Sequence, residues 1–429
     1  MTIAAPPGVF DVLPDASPEN WRSSYLWIYV ETIARQLATL FGYQEIRTPM
    51  FERQELFQRG VGDNTDIVSK EMYTFIDRGN RAMALRPEGT ASVIRAYIEH
   101  RLDQQPSQQK LFYIAPMFRY ERSQSGRYRQ HHQFGVEVFG ARSPAQDAEV
   151  IDLLHSFYKG VGLKNIEFYL NTLGAVESRT AFRSALVQYL EKFSNALSED
   201  SQRRLTTNPL RILDSKEAKD QEILAEAPSL YDFLTADEKI YFESVCQLLE
   251  AIGISYKVNP KLVRGLDYYN GVVFEATSDA LGAQNSIGGG GRYDGLVKLL
   301  GGPDVPSCGF GAGLERVIQT LLAQQGTTTA PPCPDIYLVP LGDEARSYCF
   351  KLLHRIRQKN ILAQMDLAGR KIGKAMQHAN TLKAKYSVVI GDNELGKAFL
   401  SIKDMATGTT EDVALDNLEE YLKSSSKIP

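Results

Sequence analysis

Four runs of strand-forming residues constrain the fold of this chain more than any other feature. They read KLFYIAPMFRYE (110–121), QFGVEVFG (133–140), IEFYLNTLG (166–174) and NGVVFEATSD (270–279). Turns and irregular loops connect them, whereas a parallel sheet needs crossover connections that are usually regular helices. The pattern therefore predicts a largely antiparallel sheet and disfavours the regular strand–helix alternation of a Rossmann-type fold.

Helical segments are predicted beside this sheet. WRSSYLWIYVETIARQLATLFGYQEI (21–46) carries apolar residues at helical spacing and reaches Gly42, a residue type common just past a helix end. Residues 176–258 are rich in Leu, Glu, Lys and Ser and have few glycines, which indicates a helical insertion. We therefore predict an α+β fold in which helices flank an antiparallel sheet.

A change of rhythm near the C-terminal quarter indicates a second domain, as expected for a chain of 429 residues. QQGTTTAPPCP (324–334) has the composition of a linker. Strand-like and helix-like segments alternate after it, which is typical of a small α/β domain. We predict a first domain over 1–325 with the insertion at about 176–258, a linker at 326–332 and an α/β domain over 333–429.

Composition restricts the class of partner and the compartment. Hydrophobic residues make up 43%, charged residues 23%, and the net charge is −4, so any nucleic-acid surface has to be local. The four cysteines form no CxxC pair, which disfavours zinc and suits a reducing compartment. The N-terminal segment lacks a signal-peptide pattern, and no apolar run approaches the roughly 18 residues of a membrane span. We expect a cytoplasmic protein without a membrane segment.

The segment FRYERSQSGRYRQHHQFGVEVFG (118–140) is the strongest candidate for binding chemistry. Arg119 lies in a strand-like run and Arg127 follows a Ser-Gly turn, and guanidinium groups held in this way bind phosphate in fixed directions. A solvated hairpin tip explains the same residues. A metal site at His131 and His132 is disfavoured, because neighbours on a strand point to opposite faces.

Other polar residues stand where the surroundings are predicted to be apolar, and such residues need partners. Gln133 and Glu137 share one face of a predicted strand. In LRPEGT, Glu88 and Thr90 stand at the start of a predicted helix, where helix capping explains them equally well.

Three further motifs combine arginine with glycine or tyrosine. In LVRGLDYYNGVVFE, Arg264 lies among tyrosines and apolar residues, where a cation needs an anion. GGGGRYDG is predicted to be a flexible turn that lets the backbone approach a ligand closely. In GFGAGLER, Arg316 lies in the first turn of a helix, which is unfavourable for a cation unless an anionic ligand lies across it.

In their order and spacing, these blocks together resemble class II aminoacyl-tRNA synthetases, and among them the histidyl-tRNA synthetases. The matching blocks are PPGVFDVLP, LRPEGT, the arginine-rich segment, LVRGLDYYNGVVFE, GGGGRYDGLV and GFGAGLER. The segment from DIYLVPLG to IKDMATG resembles the anticodon-binding domain of that family. The resemblance covers nearly the whole chain except the insertion, and RGLDYY is its part specific to histidine.

The resemblance implies that L-histidine and ATP, with Mg²⁺, form histidyl-adenylate and pyrophosphate, and that the histidyl group then passes to the 3′ end of the histidine tRNA. It implies catalytic roles for Arg119 and Arg264, no resident metal site, and a homodimer. The implied ATP-binding residues are Arg119, Arg127, His131 and Arg316. The implied histidine-binding residues are Glu88, Gly89, Thr90, Arg119, Gln133, Glu137, Arg264, Tyr268, Tyr269 and Tyr293.

The resemblance also implies two contacts with tRNA. The implied residues are Arg122 and Gln124, facing the acceptor end, and Arg370, Lys371 and Lys374 in the anticodon-binding domain. An ordinary solvated face explains the second group equally well. Two positions depart from the family: Ser123 stands where proline is usual, and His131 where a phenylalanine often stacks on adenine.

Two other functions are compatible with a related fold. One is a non-catalytic paralogue that serves as the regulatory subunit of ATP phosphoribosyltransferase in histidine biosynthesis. Such proteins typically lack the anticodon-binding domain and an intact RGLDYY block, and this chain has both. The other is a sensor of uncharged tRNA, which the intact set Glu88, Arg119, Arg264 and Arg316 disfavours.

Overall fold

A computed structural model describes residues 3–62, 65–106, 108–121, 127–324 and 331–425. The chain forms two compact units, Met1–Thr329 and Ala330–Pro429. The predicted linker at 326–332 lies mostly outside the described residues, and the domain boundaries inferred from the sequence stay predictions.

The first unit combines ten α-helices with eleven strands in its described residues. The helices are α1 (Ser24–Leu40), α2 (Gln54–Val61), α3 (Thr90–Glu99), α4 (Pro144–Gly160), α5 (Val176–Glu191), α6 (Glu199–Thr207), α7 (Ala218–Leu224), α8 (Ala236–Ala251), α9 (Leu296–Leu299) and α10 (Leu314–Ala323). The strands are β1 (Gln44–Glu45), β2 (Phe51–Arg53), β3 (Thr74–Ile76), β4 (Ala82–Leu85), β5 (Gln109–Phe118), β6 (Gln130–Phe139), β7 (Glu167–Thr172), β8 (Tyr256–Val258), β9 (Asn270–Thr277), β10 (Ser286–Arg292) and β11 (Ser307–Gly313).

Eight strands form the large sheet of this unit, in the order β1-β5-β6-β11-β10-β9-β7-β8. The six central strands pair antiparallel, while the outer pairs β1–β5 and β7–β8 are parallel. A separate antiparallel sheet has the order β2-β4-β3. The predicted antiparallel sheet and the α+β class are confirmed.

Helices α1, α4, α8 and α10 contribute to the core on one face of the large sheet. The buried residues of α1 follow helical spacing, and they are Leu26, Trp27, Val30, Ala34 and Ala38. Strand β6 sends alternate residues, Phe134, Val136 and Val138, into the same core. Because side chains alternate along a strand, the intervening residues of β6 face the other side of the sheet.

The four consecutive glycines of GGGGRYDG, 288–291, lie in β10, so the flexible turn predicted for them is wrong. The fifth glycine, Gly295, is the N-cap of α9. This strand pairs with β9 on one side and β11 on the other. A Cβ on Gly290 would collide with the carbonyl oxygen of Gly309, and a Cβ on Gly289 would lie 2.6 Å from the carbonyl oxygen of Phe274. The glycine run is therefore a packing requirement of a central strand.

A buried ion pair joins the end of β10 to the helical layer. Arg292 is 2% exposed, and its Nη2 lies 2.6 Å from Oδ1 of Asp147 in α4. Its Nη1 lies 3.0 Å from Oδ1 of Asp294, and Tyr241 of α8 donates to Oδ2 of Asp147 at 2.9 Å. Removing one partner of such a pair typically costs about 3–5 kcal/mol, because the other charge stays buried.

Helices α5 to α8 occupy the region for which a helical insertion was predicted. A buried aspartate organises one part of it. The carboxylate of Asp220 accepts hydrogen bonds from the backbone N–H of Ser198 at 2.8 Å and from the hydroxyls of Ser198, Ser201 and Ser215 at 2.6 Å each. Burial alone would raise the pKa of Asp220, but these hydrogen bonds lower it to about 2.

The second unit is a five-stranded sheet with helices. Its elements are β12 (Ile336–Pro340), α11 (Asp343–Arg357), β13 (Ala363–Met365), α12 (Ile372–Thr381), β14 (Tyr386–Ile390), β15 (Phe399–Asp404), β16 (Thr410–Ala414) and α13 (Leu418–Ser425). The strand order is β13-β12-β14-β15-β16, with parallel pairs around β12 and antiparallel pairs from β14 onward. This arrangement confirms a C-terminal α/β domain.

Among the helices in the described ranges, none is both long enough and apolar enough to cross a membrane. All four cysteines are described, and none of them is in a disulfide.

The Asp220 cluster leads to a stability prediction. Asp220→Asn removes the charge that four donors share, and we expect it to lower the free energy of unfolding by about 1–3 kcal/mol at pH 7. The folded pKa of about 2 lies below the unfolded value, so this stabilisation is complete above the unfolded pKa and is lost only as the pH falls towards 2. Denaturant unfolding between pH 5 and pH 8 should give a constant difference.

Asp232→Asn is the matched control, because Asp232 is exposed in the same insertion. Equal stabilities of the two variants, or a difference that changes steeply between pH 5 and pH 8, would contradict the prediction.

Candidate active site

A cleft of about 270 Å³ lies over the centre of the large sheet, on the face opposite the α1 core. Its walls come from the start of α3, the strands β6, β10 and β11, the loop before β9 and the start of α10. The sequence-predicted residues that line it are Glu88, Thr90, Arg119, Arg127, His131, Gln133, Arg264, Tyr268, Tyr269, Tyr293 and Arg316. The sheet therefore brings together motifs that are far apart in the sequence.

The floor of the cleft is a row of glycines across three strands. Gly135 of β6 stands opposite Gly311 of β11, which stands opposite Gly289 of β10. Gly289 in turn stands opposite Glu275 of β9. A Cβ on Gly135 would collide with the ring of Tyr113, which packs over this row from β5. The missing side chains make room for the ring of Tyr113 over Gly135 and for the guanidinium of Arg264 over Gly289.

Glu137 lies beneath the lining of the cleft and is 1% exposed. Its Oε1 accepts hydrogen bonds from the hydroxyls of Thr90 at 2.8 Å and Tyr113 at 3.2 Å, and its Oε2 accepts one from Tyr293. Burial raises the pKa of Glu137 to about 8, although the three hydroxyls act in the opposite direction. The site therefore holds a carboxyl group that is poised to titrate near neutral pH.

Glu88 serves both interpretations that the sequence left open. Its carboxylate accepts hydrogen bonds from the backbone N–H groups of Thr90 and Ala91, each at 2.8 Å, so it satisfies donors at the start of α3. It also lines the cleft, and burial raises its pKa. Gly89 holds the N-cap position, and the Thr90 side chain is directed to Glu137 and does not cap the helix.

Three tyrosines close the same end of the cleft. The rings of Tyr268 and Tyr269 lie 4.7 Å apart, and Tyr293 meets the ring of Tyr268 edge-on at 5.6 Å between centroids. Burial raises the pKa of all three hydroxyls, so they remain protonated and can donate hydrogen bonds. Arg179 of α5 donates to the carbonyl oxygen of Tyr269 at 2.6 Å, which fixes the tyrosine loop from outside the cleft.

Arg264 is held in place by a residue that the sequence did not single out. Its Nη1 donates to Oε1 of Glu275 at 2.8 Å, and the hydroxyl of Ser286 donates to the same oxygen at 2.8 Å. Burial alone would lower the pKa of Arg264, but the nearby carboxylate of Glu275 outweighs this, and the pKa is raised. The Nε of Arg264 is buried and has no hydrogen-bond partner among the described residues, so one donor is left for a ligand.

Further arginines border the cleft near the start of β6. Arg119 donates from Nε to the carbonyl oxygen of Pro87 at 2.9 Å, and Arg316 donates from Nη1 to the carbonyl oxygen of Ser286 at 2.6 Å. Burial lowers the pKa of Arg316, and the nearby Arg127 lowers it further. Cations that disfavour one another in this way are stabilised by an anionic ligand.

The two adjacent histidines have separate environments. His131 lines the cleft, and burial together with Arg119 lowers its pKa far below the ordinary value, so its imidazole is neutral at physiological pH. His132 places Nδ1 2.9 Å from Oε1 of Glu315, and its backbone N–H donates to the same oxygen at 2.8 Å. Glu315, missed in the sequence, ties β6 to the start of α10.

The N-terminal segment supports the arginine-bearing hairpin. The backbone N–H of Arg129 donates to the carbonyl oxygen of Gly8 at 2.7 Å. The backbone N–H of Arg119 donates to the carbonyl oxygen of Arg129 at 2.9 Å. The ring of Phe10 packs against the ring of Tyr128, with 5.0 Å between the ring centroids. In the sequence, this segment was noticed only through its resemblance to the family.

The residues implied in tRNA binding form two groups. Arg122 and Gln124 fall outside the described residues. In the second unit, Lys371 and Lys374 are exposed at the start of α12. Arg370 instead pairs with Asp366, donating its backbone N–H at 2.6 Å and its guanidinium to the same carboxylate. The functional roles of all these residues stay predictions.

Within the described ranges, no group of three or more His, Cys, Asp or Glu side chains is arranged to hold a metal ion. Carboxylates do border the cleft: Glu121 lines it, with Oε2 3.3 Å from Nε of Arg127. One such carboxylate suits Mg²⁺ that arrives on the phosphates of a nucleotide, since that ion keeps most of its ligands from water and phosphate.

Comparison with known proteins agrees with this geometry. A family model described as histidyl-tRNA synthetase matches residues 15–317, and one described as anticodon binding domain matches residues 335–425. The chain is 56% identical over 425 residues to a histidine–tRNA ligase of Protochlamydia amoebophila, over 99% of this chain and 100% of that protein.

Solved structures agree as well. Apo histidyl-tRNA synthetase of S. aureus matches with a TM-score of 0.81 and 40% identity, over 98% of this chain and 100% of that one. An ATP phosphoribosyltransferase regulatory subunit/histidyl-tRNA synthetase of Bacillus halodurans C matches with a TM-score of 0.65 and 22% identity, over 91% and 98%, which shows a shared fold alone. The extent of the family match and the identity to a full-length relative confirm the resemblance, and the chain belongs to the histidyl-tRNA synthetase family.

Proposed function

We propose that this chain is a histidine–tRNA ligase. It activates L-histidine with ATP to histidyl-adenylate and pyrophosphate, and it then transfers histidine to the 3′ end of the histidine tRNA. The observation that carries the proposal is a single cleft with arginines near one end and a cage of carboxyl and hydroxyl groups at the other. Histidine-dependent exchange of labelled pyrophosphate into ATP is the test, and absence of exchange would contradict it.

The arginine-bearing end suits the triphosphate of ATP. Arg119 is proposed to bind the α-phosphate together with the carboxylate of histidine, and Arg316 to bind the γ-phosphate. The triphosphate would relieve the repulsion that lowers the pKa of Arg316 beside Arg127. The neutral imidazole of His131 is proposed to stack on adenine, and its low pKa makes this contact insensitive to pH near neutrality.

The first step is a displacement at phosphorus. A carboxylate oxygen of histidine attacks the α-phosphorus, the bond to the bridging oxygen breaks, and pyrophosphate leaves with that electron pair. No covalent bond to the protein forms, so positioning and fixed positive charge supply the catalysis. Arg264 is assigned this role because Glu275 holds its guanidinium and its buried Nε has no hydrogen-bond partner among the described residues. The hydroxyl of Ser286 donates to the same oxygen of Glu275 and so helps to fix that carboxylate.

The opposite end suits the histidine side chain and its amino group. The ammonium group of histidine is proposed to donate hydrogen bonds to Glu88, Thr90 and Gln133. Its two imidazole nitrogens are proposed to form hydrogen bonds with Glu137 and Tyr269. Because Glu137 lies beneath the lining, its contact with the ligand requires a shift of the hydroxyls that now cover it. Any amino acid that cannot pair with these buried groups is disfavoured, by about 10⁴-fold in comparable sites.

The second unit is proposed to bind the anticodon stem of the tRNA. Lys371 and Lys374 stand at the start of α12, where cations oppose the helix dipole and a phosphate would be favoured. The pairing of Arg370 with Asp366 leaves these two lysines as the better candidates. The loop 122–126 is proposed to face the acceptor end.

The regulatory-paralogue alternative is not favoured. Full-length relatives at high identity are named histidine–tRNA ligases, whereas the structure named as a regulatory subunit shares only the fold. The chain also keeps Arg264 and its tyrosines arranged around the cleft.

A homodimer, bound Mg²⁺–ATP and a cytoplasmic location are further parts of the proposal. The dimer is supported by exposed apolar side chains on and beside the small sheet β2-β4-β3, namely Met50, Phe51, Phe75 and Ile76. Ile76 is 64% exposed, and the rings of Phe51 and Phe75 are in contact at 6.1 Å between centroids. Exposed apolar patches are typical of protein–protein contact surfaces, which supports this part of the proposal.

The first functional prediction concerns Glu137. Glu137→Gln keeps the shape of the side chain but cannot accept hydrogen bonds from three hydroxyls at once. We expect the dissociation constant for histidine to rise about 10- to 100-fold, as for loss of a charged hydrogen bond, with a much smaller change for ATP. Equilibrium binding of each ligand measures the two constants. A change confined to ATP would place Glu137 outside the amino-acid site.

The pH dependence gives a second readout of the same variant. With its pKa at about 8, Glu137 is largely protonated in the empty site at pH 7. Because histidine needs the carboxylate, binding releases a proton, and affinity should rise between pH 7 and pH 8. The titration of histidine itself affects both proteins equally. The part of the rise in affinity that the wild-type chain shows and Glu137→Gln does not therefore reports the titration of Glu137. Parallel profiles would contradict the assignment.

The next prediction concerns Arg264. If it stabilises charge that develops at the α-phosphate, Arg264→Ala should lower kcat for adenylate formation about 10²- to 10³-fold, with little change in the KM for ATP. Lysine should rescue poorly, because a point charge does not reproduce the planar guanidinium. Transfer from preformed histidyl-adenylate should suffer less, since the α-phosphate is then the leaving group.

Single-turnover kinetics of the two half-reactions distinguish these outcomes. Arg203→Ala, at an exposed position on α6, is the control for nonspecific effects of losing an arginine. A normal rate of adenylate formation in Arg264→Ala, or equal losses in both half-reactions, would contradict the role.

A truncation tests the second unit and the dimer together. A chain that ends at Gln325 should retain histidine-dependent exchange but charge tRNA much more slowly, because it lacks the proposed anticodon contacts. Since the apolar patch lies in the first unit, both the full and the truncated chain should sediment with the mass of a dimer. Undiminished charging would contradict the anticodon role, and a monomeric mass for either form would contradict the dimer.

A further inference from the structure

A second cavity, of about 310 Å³, lies between the helical insertion and the tyrosine loop. We call it the arginine cleft. Its defining residues are Arg179 and Arg183 of α5, Asn208 and Arg211 after α6, and Asp267 of the loop. It is separate from the phosphate-binding end of the active site, but Arg264, Leu266 and Tyr269 line both cavities.

The arginine cleft carries an excess of positive charge. Arg179 and Arg183 are four residues apart on α5, so their side chains share one face of the helix, where like charges repel. Arg179 donates to a neutral carbonyl, that of Tyr269, at 2.6 Å. Arg183 is exposed and forms no ion pair with any described residue. These two cations are therefore not neutralised by a direct contact.

The two aspartates of this region, Asp214 and Asp267, form no ion pair closer than 4.0 Å with a described residue. Asp267 accepts a hydrogen bond from Nδ2 of Asn208 at 2.6 Å and forms no ion pair in the described part of the chain. Arg211 is 4.0 Å from Asp214, and its Nη1 reaches over the backbone of Gly265. The cavity lining holds four arginines, counting Arg264, and Asp267 as its one carboxylate among the described residues. Burial lowers the pKa of Arg179, Asp267 acts against this, and Arg183 adds a smaller lowering.

We propose that the arginine cleft binds a phosphate group. Guanidinium groups at fixed angles suit the tetrahedral oxygens of phosphate, and three of them line this cleft beside Arg264. The phosphate has two possible sources with the same chemistry: a phosphodiester of the RNA strand whose 3′ end enters the active site, or free phosphate or pyrophosphate. The first source rests on the proposed function, while the second is independent of it.

Binding in this cleft would act on the catalytic loop. Arg179 fixes the carbonyl of Tyr269, and Arg264 forms part of the wall between the two cavities. An anion held by Arg179 and Arg183 therefore stabilises the loop in the conformation that presents Arg264 to the α-phosphate. A phosphate bound in the arginine cleft would therefore lie close to Arg264, which lines both cavities.

Arg183→Gln is the test variant, because Arg183 is exposed and makes no contact that the fold requires. Arg203→Gln is the matched control, since Arg203 is an exposed arginine of the same insertion outside the cleft. Three quantities are measured on the full chain: histidine-dependent pyrophosphate exchange, the KM for tRNA in single-turnover transfer at several salt concentrations, and calorimetric binding of inorganic phosphate and pyrophosphate.

If an RNA phosphodiester occupies the cleft, Arg183→Gln should raise the KM for tRNA about 5- to 10-fold and reduce the slope of its salt dependence by about 0.7–1. Exchange should be unchanged, and Arg203→Gln should behave as wild type. If the occupant is free phosphate, the tRNA parameters should stay unchanged, and the affinity for inorganic phosphate or pyrophosphate should fall in Arg183→Gln alone.

Indistinguishable behaviour of Arg183→Gln and Arg203→Gln in both the tRNA and the phosphate measurements would overturn the inference. Failure of the proposed function gives a different result: the wild-type chain would then show no histidine-dependent exchange, and the phosphate titration would still decide whether the cleft binds an anion.

Discussion

The absence of side chains on the central strands is the constraint on which the site depends. Across β6, β11 and β10, the row Gly135, Gly311 and Gly289 carries no side chains, so Tyr113 and Arg264 can lie directly against the strands, and Glu275 of β9 ends the row. Glycine weakens an isolated strand because it loses the most conformational freedom on folding. The eight-stranded sheet, packed against helices on its other face, supplies the order that these residues cannot supply themselves.

The two ends of the cleft use charge in opposite ways. Near the start of β6, arginines lie close together, and an anionic ligand would offset the lowering of the Arg316 pKa that burial and Arg127 cause. At the other end, burial raises the pKa of Glu137. The two ends therefore differ in the ligand groups that they suit: an anion at the first, and a hydrogen-bonding group at the second.

Much of the fold follows from local patterns, and less of the site does. The non-helical connections expected between the strand-like runs predicted the antiparallel sheet, because parallel neighbours need long crossover segments. The class was right, although α4 lies between β6 and β7, where a turn or loop was expected. The glycine run at 288–291 was misread as a turn, since only neighbouring strands make glycine necessary there. Glu275 and Glu315 were missed because their partners, Arg264 and His132, are brought to them by tertiary packing and the pairing of distant strands, which no local pattern reveals.

The N-terminal segment has a practical consequence for work with this protein. Gly8 accepts a hydrogen bond from the backbone of Arg129, which in turn accepts one from the backbone of Arg119, so the segment extends the hairpin whose Arg119 lines the cleft. An affinity tag or fluorophore attached close to Gly8 would therefore perturb the hairpin beside the cleft. A label at Asp232, which is exposed in the insertion and lies outside the lining of both cavities, avoids this contact.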